Sequence, residues 1–92
     1  MNHTVDWLPD AFQSFLLIWV RSADPFLARR AKEEIDRMLS TNPETGKLLP
    51  EGFWFLKHLC LRIHYEIDAA NKQVSIVICN PADEWTAEAN QQ

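Results

Sequence analysis

The strongest constraint on the fold is an alternating run in the second half of the chain. Leu59-Cys60-Leu61-Arg62-Ile63-His64-Tyr65-Glu66-Ile67 places apolar side chains at odd positions and mostly polar ones at even positions. Successive side chains of a strand point to opposite faces, so this period of two specifies a half-buried strand. Val74, Ile76 and Ile78 continue the period after a turn from Asp68 to Lys72, completing an antiparallel hairpin. With Asp68 opposite Gln73, both apolar sets share one face. Ser75 then lies across from Glu66, Val77 across from His64 and Cys79 across from Arg62. Cys60 and Cys79 become diagonal neighbours in that register, poorly placed for a disulfide, whereas a register slipped by two residues faces them directly; both are expected as free thiols.

The first half reads differently. His3 to Trp7 alternates weakly, and Pro9-Asp10 suits a first helical turn, where a missing N–H costs nothing and an acid meets the helix dipole. Phe12, Phe15, Leu16, Trp19 and Val20 then fall at the spacing of one helical face, which Leu17 and Ile18 widen. Asp24-Pro25 starts a second helix, with an N-cap acceptor followed by Pro. Its inner stripe is Leu27, Ala28, Ala31, Ile35, Met38 and Leu39, and Arg29, Arg30, Lys32, Glu33, Asp36 and Arg37 cover the outside. Thr41 to Gly52, with Pro43, Gly46 and Pro50, reads as a loop. Phe53 to Leu56 is a further strand, apolar on both faces.

Helices followed by strands define an α+β fold: a short N-terminal strand, an αα-hairpin, then antiparallel strands in a small twisted sheet. At 92 residues the chain holds one core. Residues 1–81 form the domain, and residues 82–92 are an acidic tail with no base, expected to be flexible unless Trp85 anchors it. Phe15 to Val20 is the longest apolar run, far short of the roughly 20 residues that cross a bilayer. Two cysteines and no secretory-type start fit a reducing cytoplasm.

Composition narrows the chemistry. A net charge of −4 counts against autonomous nucleic-acid binding, although the tail supplies much of it. His3, His58, His64 and the two cysteines show no zinc spacing, and two glycines cannot build a phosphate loop, so no metal and no cofactor is expected. On the hairpin's outer face Cys60, Arg62, His64 and Glu66 lie together. Arg62 as a phosphate ligand with His64 or Glu66 moving a proton is one reading, and a solvated strand face is the other. Phe15, Trp19 and Trp54 sit on apolar surfaces wide enough to meet a partner, a homodimer among the options.

Leu61-Arg62-Ile63-His64-Tyr65-Glu66-Ile67-Asp68 resembles the hairpin of the RelE/ParE toxin superfamily, an apolar-Arg-apolar-x-Tyr-x-Val/Ile-Asp pattern. Val5-Asp6-Trp7-Leu8-Pro9-Asp10-Ala11 is similar to that family's first strand and helix start, and Asp24-Pro25 to Leu39 to its second helix. The resemblance implies a small toxin of a bacterial type II toxin–antitoxin system, silenced by a cognate antitoxin. RelE-like members cleave mRNA on the ribosome through basic residues of the sheet face. Arg62 matches the Arg of the central strand, and Lys57 stands as a candidate substrate ligand before it. The family's nucleases usually carry an Arg in or after the last strand and a Tyr or His near the C-terminus, whereas Val77 to Trp85 has no base. ParE-like members, which act on DNA gyrase without a nuclease site, fit that absence better, so a toxin that acts by binding its target is the first expectation, a ribosome-dependent mRNA endoribonuclease the second and a non-toxic, decayed relative keeping only the fold the third.

Overall fold

The computed structural model describes residues 2–82. Of the tail expected over residues 82–92, Ala82 is buried and bonded to the Cys60 carbonyl, and the expected flexibility of the remainder lies outside the described residues. Strand β1 (Thr4–Trp7) leads to helices α1 (Pro9–Arg21) and α2 (Pro25–Thr41), then to β2 (Lys47–Leu48), β3 (Trp54–His58), β4 (Leu61–Asp68) and β5 (Gln73–Pro81). The five strands form one sheet in the order β1-β5-β4-β3-β2.

The helices start where the sequence directs. Pro9 opens α1, and Asp24 caps α2 by accepting a hydrogen bond from the Leu27 N–H at 3.2 Å, with Pro25 next in line. Ala28, Ala31, Ile35 and Leu39 of α2 are fully buried, and they meet Leu61, Ile63, Tyr65, Val74 and Ile76 from the sheet. Each buried Leu or Ile side chain contributes about 1.5–3 kcal/mol relative to exposure. Both helices thus cover one face of the sheet.

Several details depart from the sequence reading. β1 joins the edge parallel to β5, pairing Thr4 with Gln73 through Trp7 with Ile76, so the sheet is mixed. The expected loop from Thr41 to Gly52 contains a 3-10 turn at Pro43–Thr45 and the short β2, and β3 runs two residues past the expected Leu56 to His58. Helix α1 is rotated: Ala11 and Phe15 are buried, while Phe12, Leu17, Trp19 and Val20 are exposed.

The hairpin register holds only at its turn end. Asp68 faces Gln73 and Glu66 faces Ser75 as expected, but a β-bulge lies between His64 and Tyr65 in the pairing. Val77 is the extra residue. Beyond it His64 faces Ile78, Ile63 faces Cys79 and Arg62 faces Asn80. A one-residue insertion exchanges the two faces, so Cys79 enters the core and Ile78 leaves it. Cys60 belongs to the β3–β4 turn and packs against the core rather than joining the outer face. Both cysteines are free thiols, and burial pushes the Cys79 thiol up to about 12.

One polar contact locks the crossover from helices to sheet. The fully buried Tyr65 donates its hydroxyl to the Pro43 carbonyl at 2.7 Å and accepts from the Gly46 N–H at 3.2 Å. A Cβ on Gly46 would stand 2.5 Å from both the Phe55 carbonyl oxygen and that hydroxyl, so only glycine fits. Removing the hydroxyl strands a buried acceptor, at a cost of about 1–3 kcal/mol. Tyr65→Phe is expected to lower unfolding free energy by that amount in urea titrations, and Gly46→Ala to lower it as well. Unchanged midpoints for both variants would remove the clamp from the account.

Candidate functional site

The sheet face opposite the helices is built by the even positions of β4 and their partners. Strand pairing sets Lys57 directly opposite Arg62 and Phe55 directly opposite His64. On the other side of β4, Asn80 lies opposite Arg62 and Ile78 opposite His64. Four consecutive rungs of β3 and β4 thus alternate between the core pairs Trp54–Tyr65 and Leu56–Ile63 and the outer pairs Phe55–His64 and Lys57–Arg62. The Lys57–Arg62 rung therefore places two basic residues at directly paired positions of the outer face.

His64 is held tightly within this face. Its ring meets the Phe55 ring edge-on, with centroids 5.3 Å apart. Its Nδ1 is shielded from solvent and has no hydrogen-bond partner among the described residues. Burial, then the Arg62 guanidinium, lower the pKa of His64, and the Glu51 carboxylate opposes them weakly. The lowered pKa favours the neutral imidazole. Glu66 is exposed two positions further along β4, opposite Ser75 and away from the Lys57–Arg62 rung.

The structure thus brings together Lys57, Arg62 and His64, with Glu66 at the margin. It adds Phe55, Asn80 and Ile78, which sequence reasoning missed. Phe55 was hidden in a strand apolar on both faces, where period cannot say which side faces out. Asn80 and Ile78 were hidden by the bulge, for which the sequence carries no signal that we recognise.

The three aromatic partner candidates separate. Trp54 lies on the core face, its ring stacked on Tyr65 at 6.3 Å. Phe15 is 4 % exposed and packs between Trp7, Phe12 and Trp19. Trp19 is 38 % exposed and remains on the surface with Phe12. Lys32 extends over this cluster, 5.0 Å from the Trp7 ring, and its Nζ meets Asp36 at 3.1 Å. Asp36 also accepts the Trp7 indole N–H at 2.7 Å, which fixes α2 to β1. The aromatic patch is thus mainly a packed seam, with an exposed rim at Phe12 and Trp19.

Two further features complete the surface. His58 Nε2 lies 2.6 Å from Glu34 Oε1, joining the end of β3 to α2, and Arg30 meets the same carboxylate at 2.8 Å. A groove of about 560 Å³ runs between the end of α1 and β5, lined among others by Leu17, Ile18, Leu27, Cys60, Cys79 and Pro81. Among the described residues no group of three or more His, Cys, Asp or Glu is gathered to hold a metal, and no helix is long and apolar enough to cross a membrane.

Neither a protein-family model nor a curated protein matches the chain. Solved structures do. A chain of the RelBE2 toxin–antitoxin complex from Mycobacterium tuberculosis aligns with a TM-score of 0.73 at 22 % identity, covering 88 % of this chain and 99 % of that one. A double arginine-to-alanine mutant of the E. coli toxin RelE in the free state aligns with a TM-score of 0.64 at 14 % identity, over 97 % of this chain and 93 % of that one. The isolated E. coli RelE toxin gives 0.62 at 18 % identity, over 99 % and 97 %. The chain therefore has the fold of these RelE structures, over nearly the whole length of those proteins.

The environment of His64 makes a direct prediction. Its titration midpoint, followed by the ring proton resonances, is expected below the ordinary imidazole value, and Arg62→Ala is expected to raise it. Stability linked to this group is present above the ordinary value and is lost as pH falls through the lowered one. A midpoint at or above the ordinary value, unmoved by Arg62→Ala, would contradict the described packing.

Proposed function

We propose that this chain is the toxin component of a type II toxin–antitoxin pair, silenced by a cognate antitoxin, and that it acts by engaging its target with the sheet face opposite the helices. The observation that carries the reading is the Lys57–Arg62 rung on a RelE-like sheet, flanked by Phe55 and His64. Two paired basic residues on a face that the core does not use suit an anionic target group. The target stands as either the ribosome with its mRNA or DNA gyrase. The RelBE2 structure is itself a toxin–antitoxin complex, which supports an antitoxin as the partner here.

A second reading is favoured by His64 specifically. A neutral imidazole beside two cations is the arrangement needed to take a proton from a ribose 2′-OH while Lys57 and Arg62 stabilise charge on the phosphate. Glu66 is the alternative proton acceptor, although it sits further from the rung. Ribosome-dependent mRNA cleavage would follow, with the ribosome supplying electrostatics that the acidic chain lacks.

Tightly controlled induction tests both. Growth arrest is expected with the wild type and relief by co-expression of a cognate antitoxin. Lys57→Ala and Arg62→Ala are each expected to relieve arrest, and loss of one charge-stabilising donor in an enzyme costs about 10²–10³ in rate. Loss of translation, reversed by His64→Ala, selects the nuclease; arrest that survives His64→Ala with translation intact selects a binding toxin. No arrest at wild-type expression would overturn the toxin reading.

A further inference from the structure

Helix α1 is apolar on nearly every side. Ala11 and Phe15 are buried against the core, yet Phe12, Leu17, Trp19 and Val20 remain exposed, Val20 at 79 %. A helix that is apolar all round is normally covered, and a contiguous exposed apolar patch marks a surface of association. Leu16, Leu17 and Val20 form the middle of the outward strip, with Gln13 as its polar member. Asp10 and Arg21, both exposed, stand about three turns apart and so share one edge of that strip. Phe12 and Trp19, about two turns apart, share the other edge. Neither Asp10 nor Arg21 has an ion-pair partner among the described residues, whereas the basic residues Arg29, Arg30 and Lys32 of α2 are each paired with an acid one turn on.

We propose that two copies of this chain associate through α1, packed antiparallel about a two-fold axis level with Phe15 and Leu16. The charge pattern of the strip selects this occupant because it is self-complementary. In an antiparallel pair each edge of the helix meets the same edge of its copy, so Asp10 of one protomer meets Arg21 of its partner at both ends, and Phe12 meets Trp19 along the opposite edge. Leu16 lies at the axis against its own copy, and Leu17 and Val20 are covered beside it. A parallel pair would instead set both charges against the Phe12–Trp19 edge. The helices cover one face of the sheet, so the dimer leaves both outer faces, each with its Lys57–Arg62 rung, open and pointing away from each other. The association is therefore independent of what that face engages.

The test is analytical sedimentation of the purified full chain over roughly 10 μM to 1 mM, the range suited to a patch one helix wide. A reversible monomer–dimer equilibrium is expected for the wild type. Val20→Glu, at a position too exposed to serve the core, is expected to abolish the dimer. Arg21→Glu and Asp10→Lys, measured separately, are each expected to weaken association about tenfold, because each replaces two ion pairs by two like-charge contacts. Mixing these two variants is expected to restore the dimer, since each offers the other the charge it lacks. Circular dichroism of every variant serves as the folding control. A wild type that stays monomeric throughout the range would overturn the proposal and leave the α1 face to a different partner. A dimer indifferent to Val20→Glu would overturn it too, as would one weakened by both charge variants and not restored by their mixture.

Discussion

The hydroxyl of Tyr65 is the contact on which the arrangement of helices and sheet depends. It ties the central strand to the Pro43 carbonyl and the Gly46 amide, the two backbone groups at which the chain leaves α2 and turns into the sheet. A buried hydroxyl without those partners would be destabilising, and a side chain on Gly46 would push the Phe55 carbonyl away. The clamp therefore fixes the Pro43–Gly46 turn, which leads into β2, against β4. On the other face of β4, the pairing with β3 sets Phe55 opposite His64 and Lys57 opposite Arg62. Tyr65 holds the core side of the same strand that carries Arg62 and His64 on its outer side.

The bulge at Val77 works on the third strand in the same sense. Up to Ile76 the alternate apolar positions of β5, Val74 and Ile76, face the core, and after it the faces exchange. Cys79 is drawn inside, where burial suppresses its ionisation, and Ile78 and Asn80 are released to flank His64 and Arg62. An unbroken ladder would instead have faced Val77 and Cys79 with those two residues. The irregularity extends the two rungs into a three-strand surface on which Ile78 joins Phe55 as an apolar position. Bulges often re-aim side chains beside functional sites.

Legibility in the sequence followed the strength of the local signal. The α2 stripe, the Asp24 cap and the Asp68–Gln73 turn were readable because period and capping chemistry act within a few residues. The parallel pairing of β1 was not, since it depends on where α1 lands the chain and not on β1 itself. Phe15 was singled out as a partner residue because a broad apolar helix does not reveal which of its sides a sheet will cover. Trp54 and Phe55 were indistinguishable in an all-apolar strand until β4 set their register. Arg62, His64 and Lys57 stood out from alternation and from the resemblance to RelE/ParE hairpins, whereas their aromatic and amide neighbours required the bulge.

The central claim is that the outer sheet face, and not the aromatic rim of α1, carries the function. Saturation mutagenesis under selection for loss of growth arrest, with soluble protein quantified for each survivor, tests it most directly. Substitutions at Tyr65, Gly46 and Ile35 should escape by depleting folded protein, whereas those at Phe55, Lys57, Arg62 and His64 should escape at undiminished protein levels. Escape at undiminished levels concentrated at Phe12, Trp19 and Val20, with Lys57 and Arg62 freely substitutable, would contradict the account.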